Sequence, residues 1–82
     1  MLKIVVLQRG WVAVGRVKRD GDYVTMTDAA IIRRWGTNAG LGQLALEGPM
    51  PETILDRCPP IKCHALTIVL EMECREASWK GK

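Results

Sequence analysis

The sequence predicts a mainly β protein: a small, strongly bent sheet or partly open barrel of about five strands with one short helical turn. Three observations lead to this class. Short runs rich in β-branched residues recur along the chain, Gly and Pro residues separate them, and the tight-turn signal Asp20-Gly21 lies between two of the runs. The length of 82 residues fits one small domain, residues 1–82, with a marginal core.

The first half of the chain contains the clearest strand signals. Residues 3–8 are rich in Ile and Val and predict a buried first strand. Residues 11–19 and 23–27 predict the second and third strands. Asp20-Gly21 joins them as a hairpin, because both residues of such a turn tolerate positive φ.

Residues 29–35 permit two interpretations. Thr27 could cap a short helix over residues 28–35, or residues 29–35 could form a fourth strand after a kink. The adjacent β-branched residues Ile31 and Ile32 favour the strand, because branching at Cβ suits a pleated surface better than a helix. We therefore expect the strand.

The middle of the chain is less regular. Residues 36–42 predict a glycine-rich loop, and residues 43–47 predict one helical turn that ends at Gly48-Pro49. Residues 50–60 contain three prolines and predict an extended loop, with at most a short edge strand at residues 53–55.

Residues 66–74 alternate between apolar and polar side chains and predict a last strand with one solvated face. Residues 77–82 predict a short, basic, frayed tail. An uncovered sheet edge would be hazardous in so small a protein, and pairing between subunits would remove it, so we expect a homo-oligomer. The residues predicted to face the core from the last strand are Leu66, Ile68, Leu70, Met72 and Cys74.

The net charge of +3 is unevenly distributed. Residues 1–35 contain seven Lys or Arg and three Asp, and residues 36–82 contain five Lys or Arg and six Asp or Glu. A basic first half attracts phosphates. No apolar run is long enough for a signal peptide or a bilayer span, and three cysteines suit a reducing compartment. We expect a cytoplasmic protein without a membrane partner.

The stretch 33–42 is the strongest candidate for a ligand site, because two guanidiniums, an indole and three glycines lie within ten residues. Glycine-rich backbone can form an anion-binding nest, and the following helical turn would add its positive dipole. Arginine would supply charge-assisted hydrogen bonds, and an indole would stack on a base. The alternative is a structural loop with Trp35 in the core. The residues of the predicted site for an anionic, nucleotide-like ligand are Arg33, Arg34, Trp35, Gly36, Thr37, Asn38, Gly40, Gly42 and Trp11.

Neither a metal site nor an enzyme is predicted. The Cys-x4-Cys spacing of Cys58 and Cys63 is irregular for zinc, and Cys63 and His64 would face opposite ways on a strand. The chain has one His and one Ser, and Ser78 lies in the predicted tail, which argues against a serine triad. We expect no cofactor and no metal.

One set of residues resembles a family of short bacteriophage and prophage proteins to which no chemistry is assigned. The resemblance implies a phage or prophage origin and action inside a bacterial cell, and it carries over no catalytic residue. It rests on Arg9-Gly10-Trp11-Val12, Val14-Gly15-Arg16, Ile32-Arg33-Arg34-Trp35-Gly36-Thr37, Gly40-Leu41-Gly42, Leu44-Ala45 and Gly48-Pro49.

A second resemblance covers fewer residues. Val14-Gly15-Arg16-Val17, Asp20 and residues 24–29 look like the first motif of Sm-like barrels. That family forms rings of strongly bent sheets that bind RNA, so the resemblance implies a bent barrel and RNA as a partner.

These observations lead to three hypotheses. The first is a non-enzymatic protein that holds an anionic, nucleotide-like ligand at residues 33–42, in a phage setting to sequester a host defence signal. The second is a protein-interaction module, acting on a host protein or in phage assembly, with Trp11, Trp35 and Trp79 as anchors and residues 49–60 as a docking loop. The third is nucleic-acid binding through the basic half, which predicts a steep salt dependence.

Overall fold

A computed structural model of the chain describes residues 1–80, which form one antiparallel sheet of six strands and two helices. The mainly β prediction is confirmed. None of the helices within residues 1–80 is long and apolar enough to cross a membrane. The elements are β1 (Leu2–Leu7), β2 (Val12–Asp20), β3 (Tyr23–Arg34), α1 (Gly40–Glu47), β4 (Ile54–Arg57), β5 (Ile61–His64), β6 (Ile68–Glu73) and α2 (Glu76–Trp79).

The sheet is built around β3, which at 12 residues is the longest strand. The strand order is β4-β3-β2-β1-β6, and β5 also pairs with β3. The first half of β3 pairs with β5, from Tyr23 opposite His64 onward, and the second half pairs with β4, where Ala30 lies opposite Arg57. Within residues 1–80, β6 pairs only with β1, so the sheet is not closed.

The predicted hairpin is confirmed, but its turn lies one residue later than expected. Asp20 pairs with Tyr23 as part of the ladder, so the two loop residues are Gly21 and Asp22. Gly21 has a φ of 61°, whereas Asp22 is not among the residues with positive φ. Positive φ at the first loop residue alone is the pattern of a type II′ turn, which requires only one glycine.

The strand interpretation is confirmed for residues 29–34, which continue β3 instead of forming a separate fourth strand, whereas Trp35 lies beyond its end; the kink is a β-bulge. Two residues of β3, Asp28 and Ala29, lie opposite one residue of β2, Gly15. Asp28 takes a φ of 49°, in the left-handed region. The strands approach so closely here that a Cβ at Gly15 would lie 3.0 Å from the Thr27 carbonyl oxygen. A side chain at this position would therefore be tightly crowded by β3.

The bulge decides which side chains of β3 enter which core, because one extra residue reverses the alternation. Met26 and Ala29 are consequently on the same face, although they are three residues apart. The second core, as we call that face, contains Val5, Ala13, Met26 and Ala29. The first core lies on the opposite face under both helices and contains Ile4, Val12, Val14, Ala30, Ile32, Leu41, Leu44, Ala45, Cys74 and Trp79.

Several boundaries in the second half differ from the prediction. The helix begins at Gly40, so the loop before it is shorter than residues 36–42. The short strand lies at Ile54–Arg57 rather than at residues 53–55, and β5 was not predicted. Both strands are only four residues long, too short for alternation to stand out.

The predicted last strand begins two residues late, because Ala65–Thr67 forms a 3₁₀ turn. Leu66 is therefore 80% exposed instead of facing the core, and Leu70 is 44% exposed. Cys74 is buried, as predicted. No residue of β6 itself is fully buried, because the strand lies at the edge of the sheet.

The predicted frayed tail is wrong at residues 77–79, which belong to α2 (Glu76–Trp79). Trp79 is 9% exposed, and its Nε1–H donates to the Ala45 carbonyl oxygen at 3.2 Å. A large aromatic side chain that reaches the core can order a segment whose local sequence has little tendency to fold. The last part of the predicted tail, residues 81–82, lies outside the described residues.

Candidate functional site

The two arginines of the predicted ligand site are each paired with a carboxylate. Arg33 donates from Nε to Asp56 Oδ2 at 2.8 Å and from an Nη to Oδ1 at 3.3 Å. Arg34 lies 3.7 Å from Glu52 Oε2. The pairing of β3 with β4 shifts register between Ile32 and Arg34, and the two arginines engage different carboxylates.

The loop after Trp35 is closed by its own side chains. Thr37 donates from Oγ1 to the Gly40 carbonyl oxygen at 2.6 Å. The Ala39 N–H donates to Gln43 Oε1 at 2.8 Å, so a side chain of α1 satisfies an amide at the start of its own helix. Asn38 and Gly42 are exposed, and Gly42 lies within the helix. The expected open nest of amide donors is therefore wrong at Ala39.

Gly36 has a packing role that explains why glycine is present. Its φ is 69°, and a Cβ there would lie 2.4 Å from the backbone of Glu52 and Thr53. The Thr53 hydroxyl donates to the Trp35 carbonyl oxygen at 2.6 Å and so fixes the same turn. The absence of a side chain at Gly36 lets this turn pack against the backbone of Glu52 and Thr53. Close packing of the protein backbone, and not the approach of an anion, therefore explains this glycine.

The alternative placement of Trp35 in the core is wrong, because its side chain is 44% exposed. Trp11 is 58% exposed. The last pair of the β2–β3 ladder is Ala13 with Ile31, so Trp11 and Arg33 each lie two residues beyond it at the same end of the sheet. The structure thus brings Trp11, Arg33 and Trp35 to one end.

A third apolar side chain lies at this end of the sheet. The Leu7 N–H donates to the Trp11 carbonyl oxygen at 2.7 Å, and Leu7 pairs with Ile68 at the start of β6. Leu66, in the 3₁₀ turn just before β6, accepts a hydrogen bond at its carbonyl oxygen from Gln8 Nε2 at 3.5 Å. We call this end of the sheet, where Trp11, Arg33, Trp35 and Leu66 lie, the indole end.

The prediction that Trp79 is a third anchor is wrong, because its side chain is buried against α1 and is not available to a partner. The docking role of residues 49–60 stays a prediction. A cavity of about 560 Å³ lies over β4 and the segment before it. Thr53 both contributes to its lining and holds Trp35, so the cavity adjoins the indole end. Its lining is Pro49, Met50, Pro51, Thr53, Leu55 and Arg57.

The cysteines and His64 do not form a metal site within residues 1–80. Within residues 1–80 no group of three His, Cys, Asp or Glu side chains could hold a metal ion. His64 accepts the Leu66 N–H at Nδ1, 3.1 Å away, and meets the Tyr23 ring edge to face at 5.3 Å. Burial raises the pKa of the Cys74 thiol to about 11, and the Ile4 backbone hydrogen bond opposes this shift.

A further cavity of about 480 Å³ was not predicted from the sequence. It lies between β2, the start of β3 and β6, on the face of the second core. Its lining combines residues that are far apart in the chain, such as Lys3, Val24 and Glu71, so no local pattern could have revealed it. Neither this cavity nor the one over β4 is lined by a residue of 33–42.

The arrangement of the indole end is therefore the part of the predicted site that the structure retains: exposed indoles and a guanidinium on a rigid sheet end. A comparison with protein-family models finds no match, and a comparison with curated proteins finds no significant relative.

Proposed function

We propose that this protein is a non-enzymatic interaction module that binds a partner protein through the indole end. The observation that carries the proposal is the presence of two partly exposed indoles at the same end of one sheet, with Trp11 58% and Trp35 44% exposed. Large exposed apolar side chains that gather at one end of a fold can mark an interaction site. Trp and Arg are the residue types that most often dominate binding energy at protein interfaces.

The backbone under the indole end is fixed before any partner arrives. Thr53 holds the Trp35 carbonyl oxygen at 2.6 Å, and Leu7 donates to the Trp11 carbonyl oxygen at 2.7 Å. Anchors on a rigid scaffold lose little backbone entropy on binding. Both anchors are therefore prepared for a partner surface with complementary apolar pockets.

The charges around the indole end define the rim of the partner site. Arg9 is exposed and lies in the turn between β1 and β2. Arg33 and Arg34 are 65% and 60% exposed in spite of their ion pairs. With Asp56 and Glu52 paired to these two arginines, Arg9 is the charge in excess among the five residues. We therefore propose an apolar partner surface with an acidic rim, and in the phage setting that the resemblance implies, a bacterial host protein.

A nucleotide-like ligand at residues 33–42 has less support. Gln43 already accepts the Ala39 N–H, and Asp56 already engages Arg33 with two hydrogen bonds. An anion bound there would have to displace both groups. The exposed carboxylates of Glu52 and Asp56 would also repel it.

Self-association through β6 is a second proposal, supported by the edge of the sheet. Within residues 1–80 the outer edge of β6 is unpaired, and Val69 on this strand is 63% exposed. Exposed apolar edge strands tend to pair with another chain. Sedimentation-velocity measurements of the wild type and Val69→Lys test this directly. We expect a dimer or larger species that the substitution reduces to monomer, and a monomeric wild type contradicts it.

The proposed function is tested with the wild type, the double variant Trp11→Ala/Trp35→Ala and the control Leu46→Ala. Leu46 is 50% exposed on α1 and lies outside the indole end. Each tagged protein is used to capture partners from bacterial lysate, and captured candidates are purified for calorimetry. Loss of the anchors should weaken binding by roughly 2 kcal/mol or more, which is about 30-fold in Kd.

Leu46→Ala should bind like the wild type. Equal binding by the wild type and the double variant would overturn the proposal. A parallel thermal-shift panel of mono-, di- and cyclic nucleotides covers the rival ligand, because a ligand at 100 times its Kd stabilises by about 2.7 kcal/mol. A shift abolished by Arg33→Gln would restore the nucleotide hypothesis in place of the protein partner.

A further inference from the structure

The cavity on the second-core face has the form of a small-molecule site. It has a volume of about 480 Å³, within the usual range for such sites of about 300–1,000 Å³. Its lining comes from β1, the second half of β2, the start of β3, the 3₁₀ turn and β6, and β1 lies between β2 and β6 in the sheet. Small-molecule sites are concave and mostly apolar, and the face of the second core supplies the apolar side chains here.

The inner wall of this cavity is aliphatic. Val24 is 3% exposed, and Val17 and Ile68 are half-buried against the second core. No aromatic ring contributes to its lining. A nucleobase would find no stacking partner there, whereas an alkyl or aryl body would remove apolar surface from water.

The rim of the cavity carries a net positive charge. Lys3 and Glu71 form an ion pair at 2.7 Å, which leaves Arg19 as the charge in excess. Arg19 donates from Nε to the Gly21 carbonyl oxygen at 2.9 Å. This bond fixes the guanidinium plane at the hairpin turn, while the two Nη groups can form a fork-shaped pair with an acid group.

We propose that this cavity binds a small amphiphilic organic acid, with its apolar body against Val17, Val24 and Ile68 and its acid group at Arg19. The proposal is independent of the protein partner at the indole end. Charge complementarity selects an anion, because a cationic amphiphile would meet Arg19 and Lys3. The size of the cavity selects a body of medium length rather than a bilayer lipid.

The test uses two probes, 8-anilinonaphthalene-1-sulfonate and octanoate. The first becomes fluorescent in apolar sites, and octanoate should displace it. Arg19→Gln removes the acid-binding group, and Val17→Phe fills the cavity with a larger side chain. We expect each substitution to weaken the binding of both probes at least tenfold. Circular dichroism melts establish that each variant remains folded.

The matched control is Lys18→Gln. Lys18 is the neighbour of Arg19 on β2, is also exposed and carries the same charge, but its side chain leaves the opposite face of the strand and does not line the cavity. It should bind both probes like the wild type, as should Trp11→Ala/Trp35→Ala. The proposal is overturned if the wild type binds neither probe. It is also overturned if Arg19→Gln or Val17→Phe binds them like the wild type, or if Lys18→Gln loses as much affinity as Arg19→Gln.

Discussion

The Trp79 Nε1–H donates to the Ala45 carbonyl oxygen at 3.2 Å and so fastens α2 to the only other α-helix of residues 1–80. Ser78 adds a hydrogen bond from Oγ to the Leu46 carbonyl oxygen at 2.8 Å. The Arg75 N–H donates to Ala45 as well, at 2.9 Å. The end of the described chain is therefore an integral part of the first core.

Replacement of this indole should lower the stability of the whole domain. Truncating a buried aromatic side chain typically costs about 3–5 kcal/mol. We expect Trp79→Ala to lose a free energy of unfolding in this range, measured by urea denaturation. Trp11→Ala is the matched control, because the same change at a 58% exposed position removes little buried surface. Similar losses in the two variants would show that Trp79 is not in the core.

The turn at Gly36 offers a second comparison. Gly36 and Gly10 have similar φ values, 69° and 79°, but a Cβ added at Gly36 would lie 2.4 Å from backbone atoms, whereas one at Gly10 would have no heavy atom within 4 Å. Gly10→Ala should lower the free energy of unfolding only by the cost of a Cβ at positive φ, about 1–2 kcal/mol. Gly36→Ala should cost several times more because Glu52 and Thr53 must move. Denaturant unfolding measures both, and equal costs would contradict the close approach.

The ion pair between Arg33 and Asp56 should contribute little to stability in spite of its good geometry. Both side chains are about half exposed or more, at 65% and 49%. Such pairs are typically worth about 0.2–1 kcal/mol and weaken as salt increases. A double-mutant cycle with Arg33→Ala and Asp56→Ala should give a coupling energy in this range. A larger, salt-independent value would mean that the arginine is not available to a partner.

Cys74 should be the least reactive of the three cysteines, none of which is in a disulfide within residues 1–80. Burial raises its pKa to about 11, above the ordinary value of 9.0. Thiolate is the reactive form, so a thiol-specific reagent at pH 8 should modify the half-buried Cys58 and Cys63 first. Mass spectrometry of Cys→Ser variants identifies the site. Modification of Cys74 at the rate of the other two would contradict its burial.

The same raised pKa has a consequence for stability in alkaline solution. The folded protein holds the proton more tightly than the unfolded chain does, so this stabilisation is fully present below pH 9 and is lost as pH rises toward 11. The free energy of unfolding should fall over this interval. In Cys74→Ala the free energy of unfolding should fall less over the same pH interval than in the wild type. An equal fall in the two proteins would show that other groups cause it.

The sequence predicted the fold class best where structure is local. The hairpin predicted over residues 11–27 depends on strand patterning and on the glycine of its turn, both evident from neighbouring residues. The 3₁₀ turn before β6 was missed, because it interrupts an alternating pattern that continues on both sides of Leu66. The closure of the predicted ligand loop was missed as well. Gln43 accepts the Ala39 N–H only once α1 has formed, and Asp56 reaches Arg33 only once β4 is paired.

The division of β3 between two short partners has a further consequence for how the protein opens. β5 pairs with residues 23–26 and β4 with residues 30–34, and the bulge at Asp28 and Ala29 separates the two ladders. Either short strand can detach while the other keeps its hydrogen bonds. Amide hydrogens of the two strands would then exchange with solvent water at different rates, and a molecule that loosens one end of the sheet would leave the far end protected.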